Sequence, residues 1–438
     1  MAPRLPSEPP RGMRDILPAE AELRDAAAGT ILAVYRRYGF RRIETPALES
    51  LELLTGGGGG DNEKLIFKVL KRGEKLDLGA ATTEADLADL GLRFDLTVPL
   101  ARYYAQNLAK LPDPLRAVQI GPVWRAERPQ KGRYRQFTQC DIDILGVASE
   151  IAEIELILAT TEALGALGLE GLTVRINDRR LLGAMASWCG FAPERHTSVF
   201  ITLDKWDKLA PAEIRQELEE ASHPAPAIDR MLALYGSTAS GYSLASMRDR
   251  LRDPGADAAF SALSRVIDAV SEASGGRFGI DFDPTLVRGM GYYTGPVFEI
   301  RSSSFPTGSI AGGGRYDGMI GRLLGRDVPA TGFSIGFERV VDILTKIQDR
   351  APRAEKRIAL LFDESTQALR DVLREAQALR DHGLFVALER RARNAGAQRA
   401  ALEKQGYDGV AVIPPDGKVT FVEYFSERRA RKRTESPE

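Results

Sequence analysis

From residue 19 to 38 apolar side chains recur at helical spacing, and residues 40–45 then read as a short strand that Pro46 closes. Residues 92–97 read as a strand feeding a helix, with Thr97 at the N-cap and Pro99 inside the first turn, where its missing N–H costs nothing. Two more strand-like runs, 117–124 and 135–145, are joined by the charged loop 125–134 and make a long antiparallel hairpin. Residues 150–167 are helical by period. Residues 173–275 are mixed and mainly helical and carry no chemical motif, which marks an insertion. Strand patterns return at 291–301, 309–312 and 332–336, and a helix begins near Phe337. Strands linked by hairpins predict an antiparallel sheet.

A charged linker near 349–356 separates this from a second region. There the order is strand (358–362), helix (367–380), strand (385–388), helix (397–405) and strand (410–413), a small α/β domain over 356–425. The remaining tail, 426–438, includes five basic residues in the six from Arg428 to Arg433 and reads as a solvated or RNA-brushing end. The glycine run at 56–60 lacks the Gly-Lys-Ser/Thr of a phosphate loop and is read as a plain loop.

Composition narrows the class. With 438 residues, 43% hydrophobic and 28% charged, the chain can bury a large core, and its length suggests two or three domains. Its 60 basic and 61 acidic residues leave a net charge of -1, so contact with nucleic acid would depend on local basic patches. Two cysteines, Cys140 and Cys189, and three histidines form neither a disulfide framework nor metal-ligand spacing, which fits a reducing cytoplasm. Nothing approaches a signal peptide or the roughly 20 apolar residues of a membrane span.

Along 135–145 the side chains alternate, so Arg135, Phe137, Gln139, Asp141 and Asp143 share one face, and Thr138, Cys140, Ile142 and Ile144 share the other, which is the core side. For the polar face, periodicity alone favours solvent over a polar pocket. The preceding loop concentrates Arg125, Arg128, Arg133 and Arg135, fixed cations whose guanidinium forks suit a polyphosphate, although a solvated hairpin tip would look the same. Asp95 and Thr97 sit two apart on one expected strand face. Arg288, Tyr292 and Tyr293 follow an apolar lead-in, and Gly312, Gly313 and Gly314 could bring backbone close to a ligand.

Five collinear segments, RFDLTVP at 93–99, RAERPQKGRYRQF at 125–137, LVRGMGYYTG at 286–295, GGGRYDG at 312–318 and GFSIGFER at 332–339, together resemble the histidyl-tRNA synthetase family in order and spacing. The resemblance covers about 11–345 strongly and the C-terminal domain in outline. It implies an α+β class II synthetase catalytic domain over 1–172 and 276–347, a six-stranded antiparallel sheet flanked by helices. The helical insertion (173–275) and a small C-terminal anticodon-binding-like α/β domain would complete the chain. The helix and strand ending at Pro46 resemble the family's dimer motif, so a homodimer is implied.

The resemblance also implies the activity. Histidine and ATP, used with Mg²⁺, would give histidyl-adenylate and pyrophosphate, and the histidyl group would then pass to the 3′ end of tRNA(His). The amino-acid carboxylate is already ionised, so the first step calls for held charge more than for a base. By the match, Arg125 and Arg288 would be the catalytic cations on the α-phosphate, and Arg339 would meet the γ-phosphate. Glu127 and Arg133 would complete the ATP site, with Phe137 stacking on adenine. Asp95, Thr97, Gln139, Asp143, Arg288, Tyr292, Tyr293 and Tyr316 would surround histidine. Pairing both imidazole nitrogens can reject analogues by roughly 10⁴-fold, so editing would be unnecessary.

Three departures stand out. Gly291 replaces the usual aspartate, Asp143 is one methylene shorter than the glutamate of many bacterial members, and Arg390, Arg391, Arg393 and Asn394 replace a lysine-rich segment. The competing reading is a non-catalytic synthetase-like regulatory subunit of ATP phosphoribosyltransferase. Such paralogues tend to lose the second arginine and the C-terminal domain, and this chain keeps Arg288 and a C-terminal α/β region. A synthetase-derived RNA-binding module would break the ATP loop, yet Arg125, Arg133 and Arg339 are all present.

Overall fold

Pro18 opens a helix, Pro18–Arg37, in the first turn, where a missing N–H is harmless, and Leu23, Ala27, Ile31, Val34 and Tyr35 form its buried stripe. With the helix Ile151–Ala166 it covers one face of the main sheet, against Cys140, Ile142 and Ile144. The structure is a computed structural model and describes residues 7–56, 62–128, 134–236, 243–288, 291–306, 308–348, 356–414, 418–419 and 421–426. The run 57–60, the tail beyond 426, Arg133 and most of the linker 349–356 lie outside the described residues. Two compact units divide the chain, Met1–Lys346 and Ile347–Glu438.

In chain order the strands of the first unit are β1 (Arg41–Arg42), β2 (Leu48–Ser50), β3 (Lys68–Leu70), β4 (Ala88–Leu92), β5 (Leu115–Trp124), β6 (Gln136–Leu145), β7 (Leu172–Asp178), β8 (Gly279–Phe282), β9 (Pro296–Ser302), β10 (Ala311–Arg315) and β11 (Ala330–Gly336). The main sheet runs β1-β5-β6-β11-β10-β9-β7-β8. From β5 to β7 every pairing is antiparallel, a six-stranded core, and β1 and β8 add a parallel strand at each edge. A separate three-stranded sheet, β2-β4-β3, lies under the second apolar cluster, which includes Leu54, Ile66 and Phe94.

Four expectations need correction. The insertion does not begin at 173: Leu172, Val174 and Ile176 alternate into the core, and β7 pairs with β9 from Leu172 opposite Ser302 to Asp178 opposite Pro296. Asp178 then caps the next helix by accepting from the Arg180 N–H, so the helical insertion occupies Arg179 to Ser274. Residues 92–97 are not a strand. β4 ends at Leu92, Thr97 is the first residue of the helix Thr97–Asn107, and the Asp95 carboxylate, not Thr97, accepts the free Val98 N–H. The strand expected over 291–301 starts only at Pro296, after a turn at Gly291 and Tyr292.

The second unit contains β12 (Arg357–Phe362), β13 (Phe385–Arg390), β14 (Gly409–Val412) and β15 (Glu423–Tyr424), ordered β13-β12-β14-β15. The first three are parallel, and β15, too short to leave a periodic signal, is antiparallel. The helices Leu369–Asp381 and Ala395–Lys404 cover opposite faces, through Val372 and Ala376 on one side and Leu402 on the other. Arg390, Arg391 and Arg393 are exposed at the end of β13.

Candidate active site

The face of β6 opposite the core does not meet solvent. It floors a cleft, and every candidate residue except Arg133, which is not described, lines that cleft. The preference for a solvated face fails because Tyr292, Tyr293 and Tyr316, from distant segments, roof the strand. Such cover is not legible in local periodicity.

At one end three carboxyls meet. Asp95, Asp141 and Asp143 are 1%, 3% and 2% exposed. Burial pushes the Asp95 carboxyl up to about 6, which the Val98 N–H and the charge of Arg125 partly offset. Burial pushes Asp143 up to about 7, although the Tyr316 hydroxyl donates to it at 2.6 Å. Asp141 is raised well above the ordinary carboxylate range, by burial first and by Asp143 next. Gln139, one position along the same face, donates its amide N–H to the Ser334 hydroxyl at 3.1 Å. One oxygen each of Asp95, Gln139, Asp141 and Asp143 has no hydrogen-bond partner among the described residues. The cavity presents unused acceptors, which is costly until donors arrive. The tyrosines complete its wall, with Tyr292 tilted by 58° against Tyr293 at a centroid distance of 4.8 Å and edge-on at 6.1 Å to Tyr316. Thr97, at the start of its helix, reaches the same space.

The other end of the cleft is cationic. Arg125 leaves the end of β5, and its Nε donates to the Phe94 carbonyl at 3.0 Å, which fixes the stem while the guanidinium lies 5.0 Å over the ring of Phe137. Arg339, from the first turn of the helix Phe337–Gln348, donates to the Ser309 carbonyl and lies 5.8 Å from the ring of Phe305. Glu127 lines the cleft beside Arg125. Glu338 also reaches the cleft but is committed: Arg24 grips it at 2.7 and 2.8 Å, Arg14 adds a contact at 3.3 Å, and the Thr138 N–H donates at 3.0 Å. That clasp pins residues 14–24 under the site.

Arg288 lies between the two ends, and the strand beneath it explains its placement. Its guanidinium rests on Gly312 of β10, and Tyr293 rests on Gly314, so a Cβ at either glycine would fall inside 3.0 Å of these side chains. Gly332 of β11, opposite Asp143, likewise leaves room for that carboxyl. Gly312 and Gly314 therefore admit side chains onto bare strand, while a Cβ at Gly313 would meet the backbone of Gly332 and Phe333 on β11. Sequence reasoning placed Asp141 on the right face without assigning it a role, and it missed Ser334 and Glu299, whose importance comes only from strand pairing.

The family model for histidyl-tRNA synthetase matches residues 12–340. A histidine–tRNA ligase of Leifsonia xyli is 46% identical over 430 residues, covering 94% of this chain and 96% of that relative. One of Aeropyrum pernix is 39% identical over 343 residues, covering 76% and 73%. The crystal structure of histidyl-tRNA synthetase from Nostoc sp. PCC 7120 superposes with a TM-score of 0.76 at 26% identity, covering 98% of this chain and 100% of that one. An ATP phosphoribosyltransferase regulatory subunit/histidyl-tRNA synthetase from Bacillus halodurans shares the fold, with a TM-score of 0.73 at 23% identity and coverage of 94% and 99%. With most of the first unit matched and a 46% identical relative covering 94% of the chain, this protein belongs to the histidyl-tRNA synthetase family.

Proposed function

We infer that the chain is a histidine–tRNA ligase, and the observation that carries this reading within the family is the set of four unpaired acceptors in one buried cavity. Histidine brings three N–H donors on its ammonium group and one or two on its imidazole, the complement of that set. Asp95, Thr97, Gln139 and Asp143 take the ammonium and imidazole groups, and the three tyrosines hold the ring. Asp141 offers a further unpaired oxygen beside them.

In the first step a carboxylate oxygen of histidine attacks the α-phosphorus of ATP, the new O–P bond forms, and the bond to pyrophosphate breaks. No proton moves, so the chain supplies orientation and positive charge. Arg125 orients the carboxylate and the α-phosphate, and Arg288 acts on the α-phosphate from the side of β10. Arg339 takes the γ-phosphate, Glu127 and Arg133 complete the nucleotide site, and Phe137 offers adenine the face that Arg125 leaves open. In the second step a ribose hydroxyl of the terminal adenosine of tRNA(His) attacks the acyl carbon, its proton passes to a phosphate oxygen of the adenylate, the acyl carbon–oxygen bond to phosphate breaks, and AMP leaves.

Mg²⁺ enters with ATP. No group of three or more acidic, cysteine or histidine side chains among the described residues could hold a metal, and Glu338 is committed to arginines. That fits an ion that would be carried mainly by phosphate oxygens, with Glu127 as a carboxylate lining the same cleft, since Mg²⁺ is commonly held by one or two carboxylates plus substrate phosphates.

The working form is a homodimer in the cytoplasm. Support for the dimer comes from the small sheet, where Leu48 and Leu90 share a face and are 43% and 38% exposed. No described helix is long and apolar enough to cross a membrane. The regulatory-subunit reading is disfavoured by relatives at 39–46% identity that are histidine–tRNA ligases and by the intact cations of the cleft. The deciding experiment is histidine-dependent exchange of labelled pyrophosphate into ATP. Exchange is expected, and its absence in a folded preparation would overturn the ligase reading.

A further inference from the structure

Arg288 has a second neighbour besides Gly312. On β9, directly opposite Gly312, stands Glu299, and its carboxylate lies 3.7 Å from the Arg288 guanidinium. Glu299 is 8% exposed, so this contact is little screened by water. The other carboxylate oxygen of Glu299 is already engaged: Arg175 of β7, its cross-strand partner, donates at 3.2 Å, and Arg301, two residues along β9, donates at 3.1 Å.

These two arginines converge once more. Arg175 donates to Asp207 at 2.9 Å and Arg301 pairs with the same carboxylate oxygen. Asp207 belongs to the turn after the helix His196–Leu203, inside the helical insertion. Arg175 also pairs with Asp283. Asp204, in the same turn as Asp207, faces Lys208, Arg288, Glu299 and Asp207, and burial raises its carboxyl. An unbroken line of ion pairs therefore runs from the insertion through Arg175 and Arg301 to Glu299 and on to Arg288.

The arrangement has a mechanical logic. A lone arginine lying on a glycine strand would slide, because the strand beneath it offers no side chain to stop it. Glu299 supplies the stop. A free Glu299 could swing toward Arg288 and neutralise it in place of the phosphate. The two arginines behind it hold one oxygen back, and Asp207 fixes those arginines. We propose that Glu299 is a positioning residue for Arg288, and that Asp207 sets Glu299 through Arg175 and Arg301, so that the seating of the helical insertion controls the rate of histidine activation.

The proposal rests on the reading of Arg288 as the cation at the α-phosphate, and the test separates the two. Pyrophosphate exchange is measured on the full chain for Asp207→Asn, Asp207→Glu, Glu299→Gln and Arg288→Ala, with kcat and the KM values of histidine and ATP resolved. Asp207 is on an exposed turn, with 46% side-chain exposure, so its substitution spares the fold. Asp207→Asn is expected to lower kcat about 3- to 30-fold with both KM values within about two-fold, the range seen for coupling through packed networks. Asp207→Glu restores activity, Glu299→Gln lowers kcat further, and the double variant Asp207→Asn/Glu299→Gln is no worse than Glu299→Gln alone, since the two act in one line. An unchanged kcat in Asp207→Asn, or additive losses in the double variant, overturns the proposal. Should Arg288→Ala itself keep near-normal exchange, the α-phosphate reading fails first. Should Arg288→Ala be inactive while Asp207→Asn is normal, the positioning line alone is wrong.

Discussion

The guanidinium of Arg288 lies against the α-carbon of Gly312, so close that a side chain on that residue could not coexist with it in place. The obstacle would be the end of a flexible side chain and not backbone, so the arginine, not the sheet, would give way.

Gly312→Ala is therefore expected to fold with a melting temperature near that of the parent and to lose about 100-fold or more in kcat for pyrophosphate exchange, as for removal of one preorganised charge. A thermal melt beside the exchange assay checks it. A fully active Gly312→Ala would show that Arg288 acts from some other position.

The buried carboxyls give a pH prediction with a definite sign. Asp95 and Asp143 titrate at about 6 and about 7 in the folded chain, above their ordinary value of 3.8. The folded, ligand-free protein thus holds protons that the unfolded chain has released. The stability they contribute is fully present below about pH 4 and is lost as pH rises through 6 and 7. Melts from pH 5 to 8 are expected to fall in this window, and saturating histidine should flatten the fall.

Asp143→Asn separates stability from function. Without the buried charge, the ligand-free variant is expected to melt about 2 °C higher than the parent at pH 8. Its KM for histidine should rise about 10- to 100-fold, the loss expected for a charge-assisted hydrogen bond. A variant that is both less stable and fully active would refute the assignment of Asp143.

For Arg125 the prediction concerns shape as well as charge. Arg125→Lys keeps the cation but loses both the Nε bond to the Phe94 carbonyl and the planar contact with Phe137. Exchange is expected to fall about 100-fold, with Arg125→Ala little worse.

The last prediction concerns the second unit. Replacing Arg390, Arg391 and Arg393, all exposed at the end of β13, with alanine is expected to raise the KM for tRNA in charging assays and to leave pyrophosphate exchange unchanged. Equal charging by the variant would place RNA recognition elsewhere.

Periodicity was a reliable guide where a single face decides the structure. The hairpin of β5 and β6, the helix Pro18–Arg37 and the alternation of the second unit could all be read from the chain. It failed where partners lie far off in sequence. Tyr316 meets Asp143 from 173 residues away, which turned an expected solvated face into a cavity. β7 was absorbed into a helical stretch because only its pairing with β9 shows that it belongs to the main sheet. Asp95 and Thr97 reach the cleft as expected, but from a loop and a helix start and not from a strand. The candidate residues themselves came from resemblance, and no spacing argument would have joined Asp95 to Tyr316.

The cavity's unpaired acceptors have a practical side. Imidazole carries the ring donor of histidine without its ammonium group, and the cavity makes it a weak competitor. Protein eluted from nickel resin with hundreds of millimolar imidazole will enter an assay partly occupied, and its apparent histidine affinity will be too low until the eluent is dialysed away.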